Sequence, residues 1–194
     1  MFDSGEFKDA VRRLHRIKDA AYQDSWKKRG EIMSIMANIA RKVDRLEYLT
    51  DDATAGFDES LMDTAVDLLV YSLKHQTFLA DQDAAVADKL YQGGEVTPPY
   101  SDGPSGFEFL LTRLNITPVE SNVGQETTAR ATQGVLSAFA GLEACFRDGL
   151  APTSQRATEA IALTRASVTL IDSLTIEAPE RYRDFLERYR TGDG

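Results

Sequence analysis

Asp58-Glu59-Ser60-Leu61-Met62-Asp63-Thr64-Ala65-Val66-Asp67-Leu68-Leu69-Val70-Tyr71 is the stretch whose reading decides the fold. Glu59, Asp63 and Asp67 recur every four residues. On an α-helix each step of four turns the side chain by only about 40°, so the three acids form one row. Leu61, Ala65, Leu68, Leu69 and Leu73 fall on the opposite side, while Val66 and Val70 stand among the acids. Like charges at this spacing destabilise a helix by roughly 0.2–0.5 kcal/mol per pair. The row therefore reads either as a solvated face or as a place where something positive gathers. Hard carboxylate oxygens suit Mg²⁺ or Mn²⁺, which makes Glu59, Asp63 and Asp67 candidate catalytic and metal-ligating residues.

Upstream of this row, Glu31 to Leu49 carries a clean helical stripe of Ile32, Ile35, Met36, Ile39, Val43 and Leu46. One flank bears Glu31, Asn38, Lys42 and Arg45; the other bears Asp44 and Glu47. The two flanks cannot both face one ligand. Lys42 and Arg45 would hold phosphates, and Glu47 would extend the metal set. Before this helix, Tyr22-Gln-Asp24-Ser25-Trp26-Lys-Lys-Arg-Gly30 places the only tryptophan beside a basic trio. Trp26 is expected either to plug the core or to stack on a base near phosphate-binding cations. Asp24 or Ser25 would cap the helix that follows. Asp58 would cap the acidic helix, which is expected to continue to about Leu79, and Tyr71 on it is a further candidate for substrate contact.

The first helix spans about Gly5 to Gln23, with Phe7, Val11, Leu14, Ile17 and Ala21 at three- and four-residue intervals. His15 lies beside that stripe and reads as a surface or boundary residue; His75, without metal-ligand spacing, reads as structural. A short helix from Asp81 to Tyr91 precedes Gln92-Gly-Gly-Glu-Val-Thr-Pro-Pro-Tyr-Ser-Asp-Gly-Pro-Ser105, the strongest breaker cluster in the chain. Beyond it come helices over Phe107–Leu114, Glu126–Arg147, a segment capped by Thr153 or Ser154, and a last one opened by Pro179. No strand-length alternation occurs. The expected fold is all-α, with a helical core over 1–92, a loop or linker over 93–105 and a second helical region over 106–194. That region is expected to pack on the core or form a dimer face.

Composition narrows the function. The 194 residues carry a formal net charge of −9 and a single cysteine, Cys145. Non-specific nucleic-acid binding requires many phosphate-neutralising cations, and docking on an anionic membrane requires a basic cluster; neither is expected. An intramolecular disulfide is impossible, no apolar run approaches a membrane span, and no signal-peptide core opens the chain, so a cytoplasmic protein is expected. P-loop, Rossmann, di-iron and zinc signatures are missing from the sequence. Magnesium held by carboxylates between helices remains, bridging phosphate oxygens and activating a water.

Three ordered blocks carry a resemblance: Tyr22-x-Asp24-Ser25-Trp26 with Gly30, then Ile39-x-x-Lys42-x-x-Arg45-Leu46-Glu47-x-Leu49, then Asp58-Glu59-Ser-Leu-Met-Asp63-Thr-x-x-Asp67-Leu-x-x-Tyr71. Over about residues 7–80 the chain resembles the nucleotide modification associated domain family, which is common in phage and bacterial genomes and similar to the all-α MazG-like NTP pyrophosphatases. The resemblance implies a MazG-like helical core, often dimeric, and magnesium-dependent cleavage of a nucleoside triphosphate to the monophosphate and pyrophosphate. In those enzymes Glu-x-x-Asp ends the second acidic motif; here Thr64 takes the Glu position. Their Glu-Glu-x-x-Glu has Asp44-x-x-Glu47 as its nearest counterpart. Lys42 and Arg45 stand where acids would be expected, which equally fits a protein that binds or sequesters a nucleotide without hydrolysing it. A structural helical partner protein is the third expectation.

Overall fold

A computed structural model describes residues 4–51, 61–114, 127–147 and 149–190. Within them the chain is all-α: α1 (Ser4–Tyr22), α2 (Ala37–Asp51), α3 (Leu61–Gln82), α4 (Ala84–Leu90), α5 (Ser105–Arg113), α6 (Thr128–Ala144), α7 (Thr153–Glu177) and α8 (Pro179–Arg188). A 3-10 turn (Gln23–Trp26) and a π-helical turn (Glu31–Met36) lie between α1 and α2. No described helix is long and apolar enough to cross a membrane.

The organising element is α3. Its 22 residues contain neither Gly nor Pro, so nothing interrupts the backbone ladder. Leu61, Ala65, Leu68, Leu69 and Leu73 are buried as expected, but so are Val66 and Val70, so the helix has no wide solvated face. A helix apolar all round sits in the middle of a bundle, and α3 packs against α1, α2, α4, α5, α7 and α8. Its longest seam is with α7, so the two halves of the sequence share one apolar cluster, running from Phe7 through Leu69 and Leu163 to Phe185. Each fully buried leucine there contributes about 1.5–3 kcal/mol.

The outer helices are tied to this centre by specific contacts. Phe7 on α1 packs on Phe185 of α8 with ring centroids 5.9 Å apart. Arg16 on α1 forms a two-bond fork with Glu108 of α5 at 2.7 and 2.9 Å. Asp83 caps α4, its carboxylate accepting from Ala85 and Val86 backbone N–H. Asp81 accepts the N–H groups of Tyr100 and Ser101, which clips the Gly- and Pro-rich 92–105 segment to the end of α3. Gly106 then permits close approach, since a Cβ there would lie 2.1 Å from the Tyr100 carbonyl oxygen.

Several local expectations change. Ile17 is exposed because α1 buries Phe7, Ala10, Val11, Leu14 and His15 instead. His15, expected at the surface or the boundary, is 1% exposed. Asp24 and Ser25 belong to the 3-10 turn and do not cap the next helix. That helix instead follows Gly30 at φ 81°, a left-handed conformation that favours glycine. No side chain caps α7 either; the Thr153 hydroxyl accepts from the Arg156 guanidinium at 3.2 Å. Asp58, the expected cap of the acidic helix, lies outside the described residues.

Burying α3 on all sides obliges its polar side chains to find partners inside. Gln76 Nε2 donates to Thr164 Oγ1 at 2.7 Å, and Thr164 Oγ1 donates to Ser72 Oγ at 2.8 Å, stitching α3 to α7. His75 Nε2 meets Glu31 Oε1 at 2.6 Å, and the other oxygen of Glu31 receives the buried Arg156 guanidinium of α7. Glu31 thus joins the π turn, α3 and α7. Replacing Glu31 by Ala strands a buried guanidinium and is expected to cost about 3–5 kcal/mol. The loss should appear as a lower urea midpoint at unchanged slope.

Candidate functional site

A cavity of about 420 Å³ opens between α1, the 3-10 turn, α2 and α3. Three short helical stripes build it. His15, Lys18 and Tyr22 lie at i, i+3 and i+7 on α1; Asn38, Arg41 and Lys42 at i, i+3 and i+4 on α2; Asp67, Val70, Tyr71 and Lys74 at i, i+3, i+4 and i+7 on α3. Helical periodicity puts each set on one face, and the packing turns the three faces toward each other. Gln23, Ser25 and Trp26 of the 3-10 turn complete the wall.

Charge in the cavity is lopsided. Lys18, Arg41, Lys42 and Lys74 meet one lining carboxylate, Asp67, in a chain whose net charge is −9. Asp67 receives Lys18 Nζ on one oxygen and Lys42 Nζ on the other, both at 2.5 Å. Burial pushes the Asp67 carboxyl up, but the bonds and charges of the two lysines outweigh it, and the group is held below the usual carboxylate range. Lys74 lies 4.9 Å from the Trp26 ring centroid, a cation–π distance, and 3.5 Å from Asp19. Burial brings its ammonium below the ordinary lysine value despite Asp19. Burial first, and then the Asp67 charge, raise the Tyr71 phenol, which stays an O–H donor at neutral pH.

The structure separates the sequence-predicted set. Trp26, Lys42, Asp67 and Tyr71 line the cavity together. Asp63 faces α8 instead, where Arg188 Nη2 donates to both of its oxygens at 2.8 and 3.0 Å. Arg45, half-buried, continues the Asn38–Lys42 flank one turn farther along without lining the cavity, and Glu47 is exposed on the other flank, so the flank that carries Asn38 and Lys42 is the one turned inward. Glu59 lies outside the described residues. Among the described residues no three His, Cys, Asp or Glu side chains converge as metal ligands would. The carboxylates present fit a protein-held divalent ion poorly, because Asp67 already serves two ammonium groups and Asp63 a guanidinium.

Sequence reasoning missed Lys18, Arg41, Lys74 and His15. The available signal is the stripe each makes with its neighbours at helical spacing, on the amphipathic α1 and α2 and within the apolar run of α3. His15 stacks flat on Phe107 of α5, centroids 3.8 Å apart and planes within 7°. Its Nδ1 is buried with no hydrogen-bond partner among the described residues. Burial, then Lys74 and Arg16, bring its pKa down to about 3 against a weaker pull upward from Glu108. Burial takes His75 to about 3 as well.

Other clefts have their polar groups committed elsewhere. Beside the 92–105 segment, Asp81 holds backbone N–H groups, and Lys27 donates to Ser101 Oγ at 2.8 Å and to Asp102. Between α4 and α7 a groove of about 270 Å³ is lined largely by alanine, valine, leucine and isoleucine, with Lys89 the charged exception. Comparison with protein-family models, with curated proteins and with solved structures gave no match to this chain.

Two outcomes are expected. Asp67→Asn should lower stability by about 1–2 kcal/mol at neutral pH, since Lys42 is largely enclosed while Lys18 is partly solvated. Because the folded carboxyl is the stronger acid, its contribution is present above the unfolded value near 4 and fades as pH falls through the folded value. The variant should therefore show a flatter stability profile in that acid range. His15 and His75 act at higher pH. Both are neutral in the fold, so the unfolded chain takes up protons first below about 6.5, and stability falls by about 1.4 kcal/mol per histidine per pH unit. Denaturant midpoints measured from pH 7 to 5 test this, with His15→Phe removing one histidine's share.

Proposed function

We propose that the chain binds a nucleotide in the α1–α2–α3 cavity through its own cations, without a metal ion held by the protein. The observation that carries this reading is the convergence of Lys18, Arg41 and Lys42 with Trp26, Tyr22 and Tyr71 around a space of about 420 Å³. Pockets of about 300–1,000 Å³ hold small organic ligands. Ammonium and guanidinium groups suit phosphate oxygens, and aromatic walls suit a flat heterocycle. Positive charge concentrated in a cleft of an acidic chain also draws anions to that place in preference to the rest of the surface. The resemblance of residues 7–80 to the nucleotide modification associated domain family supports the same ligand class.

Asp67 acts in this scheme as an internal counter-anion. It holds Lys18 and Lys42 in position until phosphate oxygens share them. Hydrolysis is the second reading, favoured by the place of Asp67 among the phosphate-binding lysines. There it is the carboxylate that a magnesium ion carried in by the phosphates would meet. Release of pyrophosphate from a triphosphate with Mg²⁺, lost in Asp67→Ala, would support that reading.

Calorimetric titration with nucleoside mono-, di- and triphosphates tests the proposal. Saturable binding is expected, weakened roughly tenfold or more in Lys42→Ala, as for loss of a charge-assisted hydrogen bond. Absence of saturable binding at millimolar nucleotide would refute it.

A further inference from the structure

The cavity has a wet rim and a dry floor. Tyr22 and Arg41 are exposed at the mouth, and the Lys18 side chain retains 40% of its accessible surface. Deeper in, His15 is 1% exposed, Trp26 6% and Lys74 7%. A phosphate group carries its hydration reluctantly into a dry site, whereas a heterocycle gains from leaving water. The rim therefore suits the phosphates and the floor suits the base.

The floor also has unpartnered hydrogen-bonding capacity. The His15 imidazole forms no hydrogen bond with the described residues, and its plane is set by the stack on Phe107. A buried polar ring without a partner is costly and calls for a ligand group. Neutral imidazole offers one N–H donor and one lone pair, which match a ring nitrogen or amide-like edge. Lys74 beside it is a donor only; Asp19 at 3.5 Å takes one of its three N–H groups, which leaves it able to donate to a further acceptor. A base carrying a carbonyl oxygen next to a ring nitrogen satisfies both; adenine has no carbonyl oxygen.

Resting on the nucleotide reading above, we infer that the ligand enters base first and that His15 and Lys74 select an oxo-bearing base over adenine. Lys18 and Arg41 at the rim, with Lys42 just inside it, hold the phosphates. Because the phosphates point outward, their number matters less to affinity than the identity of the base. His15 is thereby a specificity-determining residue and Lys74 its partner on the carbonyl oxygen.

Calorimetry with inosine monophosphate and adenosine monophosphate tests the inference in the intact chain. The two differ at the purine C6 position, where one bears oxygen and the other an amino group. The inosine nucleotide is expected to bind roughly tenfold more tightly, the effect of one or two hydrogen bonds in a dry site. His15→Phe preserves the stack but should abolish that ratio, whereas His15→Gln, which keeps a donor and an acceptor, should retain it. Competition by inorganic phosphate should be the same in all three proteins. Equal affinity of the unaltered chain for the two nucleotides overturns the inference while leaving nucleotide binding intact. So does a ratio that His15→Phe leaves unchanged. Binding of neither nucleotide overturns both the inference and the reading beneath it. Should His15→Phe fold poorly, the ratio in the unaltered chain decides alone.

Discussion

A helix enclosed around its whole circumference must satisfy every polar side chain it carries from within the protein, and that constraint on α3 organises the rest of the structure. Leucine, alanine and valine on α3 hold the bundle together by removing apolar surface from water. Asp67, Ser72, Lys74, His75 and Gln76 would each be a liability in such a place. They are met from several neighbours: Asp67 by Lys18 of α1 and Lys42 of α2, Ser72 and Gln76 by Thr164 of α7, Lys74 by Asp19 of α1, and His75 by Glu31 of the π turn. The polar contacts choose which helix lies where, because a wrong neighbour would leave a buried charge unanswered. Hydrophobic burial alone, being non-directional, would not make that choice.

The same demand generates the cavity. Asp67 draws one lysine from α1 and one from α2, so two cations stand side by side at the edge of the core. Lys74, one turn farther along the same face as Tyr71, is sheltered by Trp26 and balanced in part by Asp19. What results is a patch of positive charge in an acidic protein, floored by aromatic rings and a neutral histidine. Under the proposed function, the cations take the anionic end of the ligand and the rings its flat end.

The acidic row shows where sequence reasoning stops. Glu59, Asp63 and Asp67 share a spacing, and spacing alone groups them. Yet Asp63 is claimed by Arg188, 125 positions away, and Asp67 by Lys18 and Lys42. Trp26, Lys42, Asp67 and Tyr71, each chemically conspicuous within its own segment, do line one cavity. Lys18, Arg41, Lys74 and His15 are not conspicuous, because a cation or histidine on an amphipathic helix ordinarily faces solvent. Arg45, a turn beyond Lys42 on the same flank, and Glu47, on the opposite flank, are as conspicuous in the sequence as the first four and do not line the cavity.

From residue order alone come the all-α character, the helices and their breaks, and the sharing of a face by residues three, four or seven apart. These are local properties, governed by backbone geometry and a 3.6-residue period. Which faces meet is settled only in three dimensions. The rotation of each helix about its axis depends on packing against all its neighbours at once, and a few tens of degrees decide whether an acid finds lysine, arginine or water. The burial of His15 and the pairing of Asp67 belong to that second kind of information, and with them the character of the site.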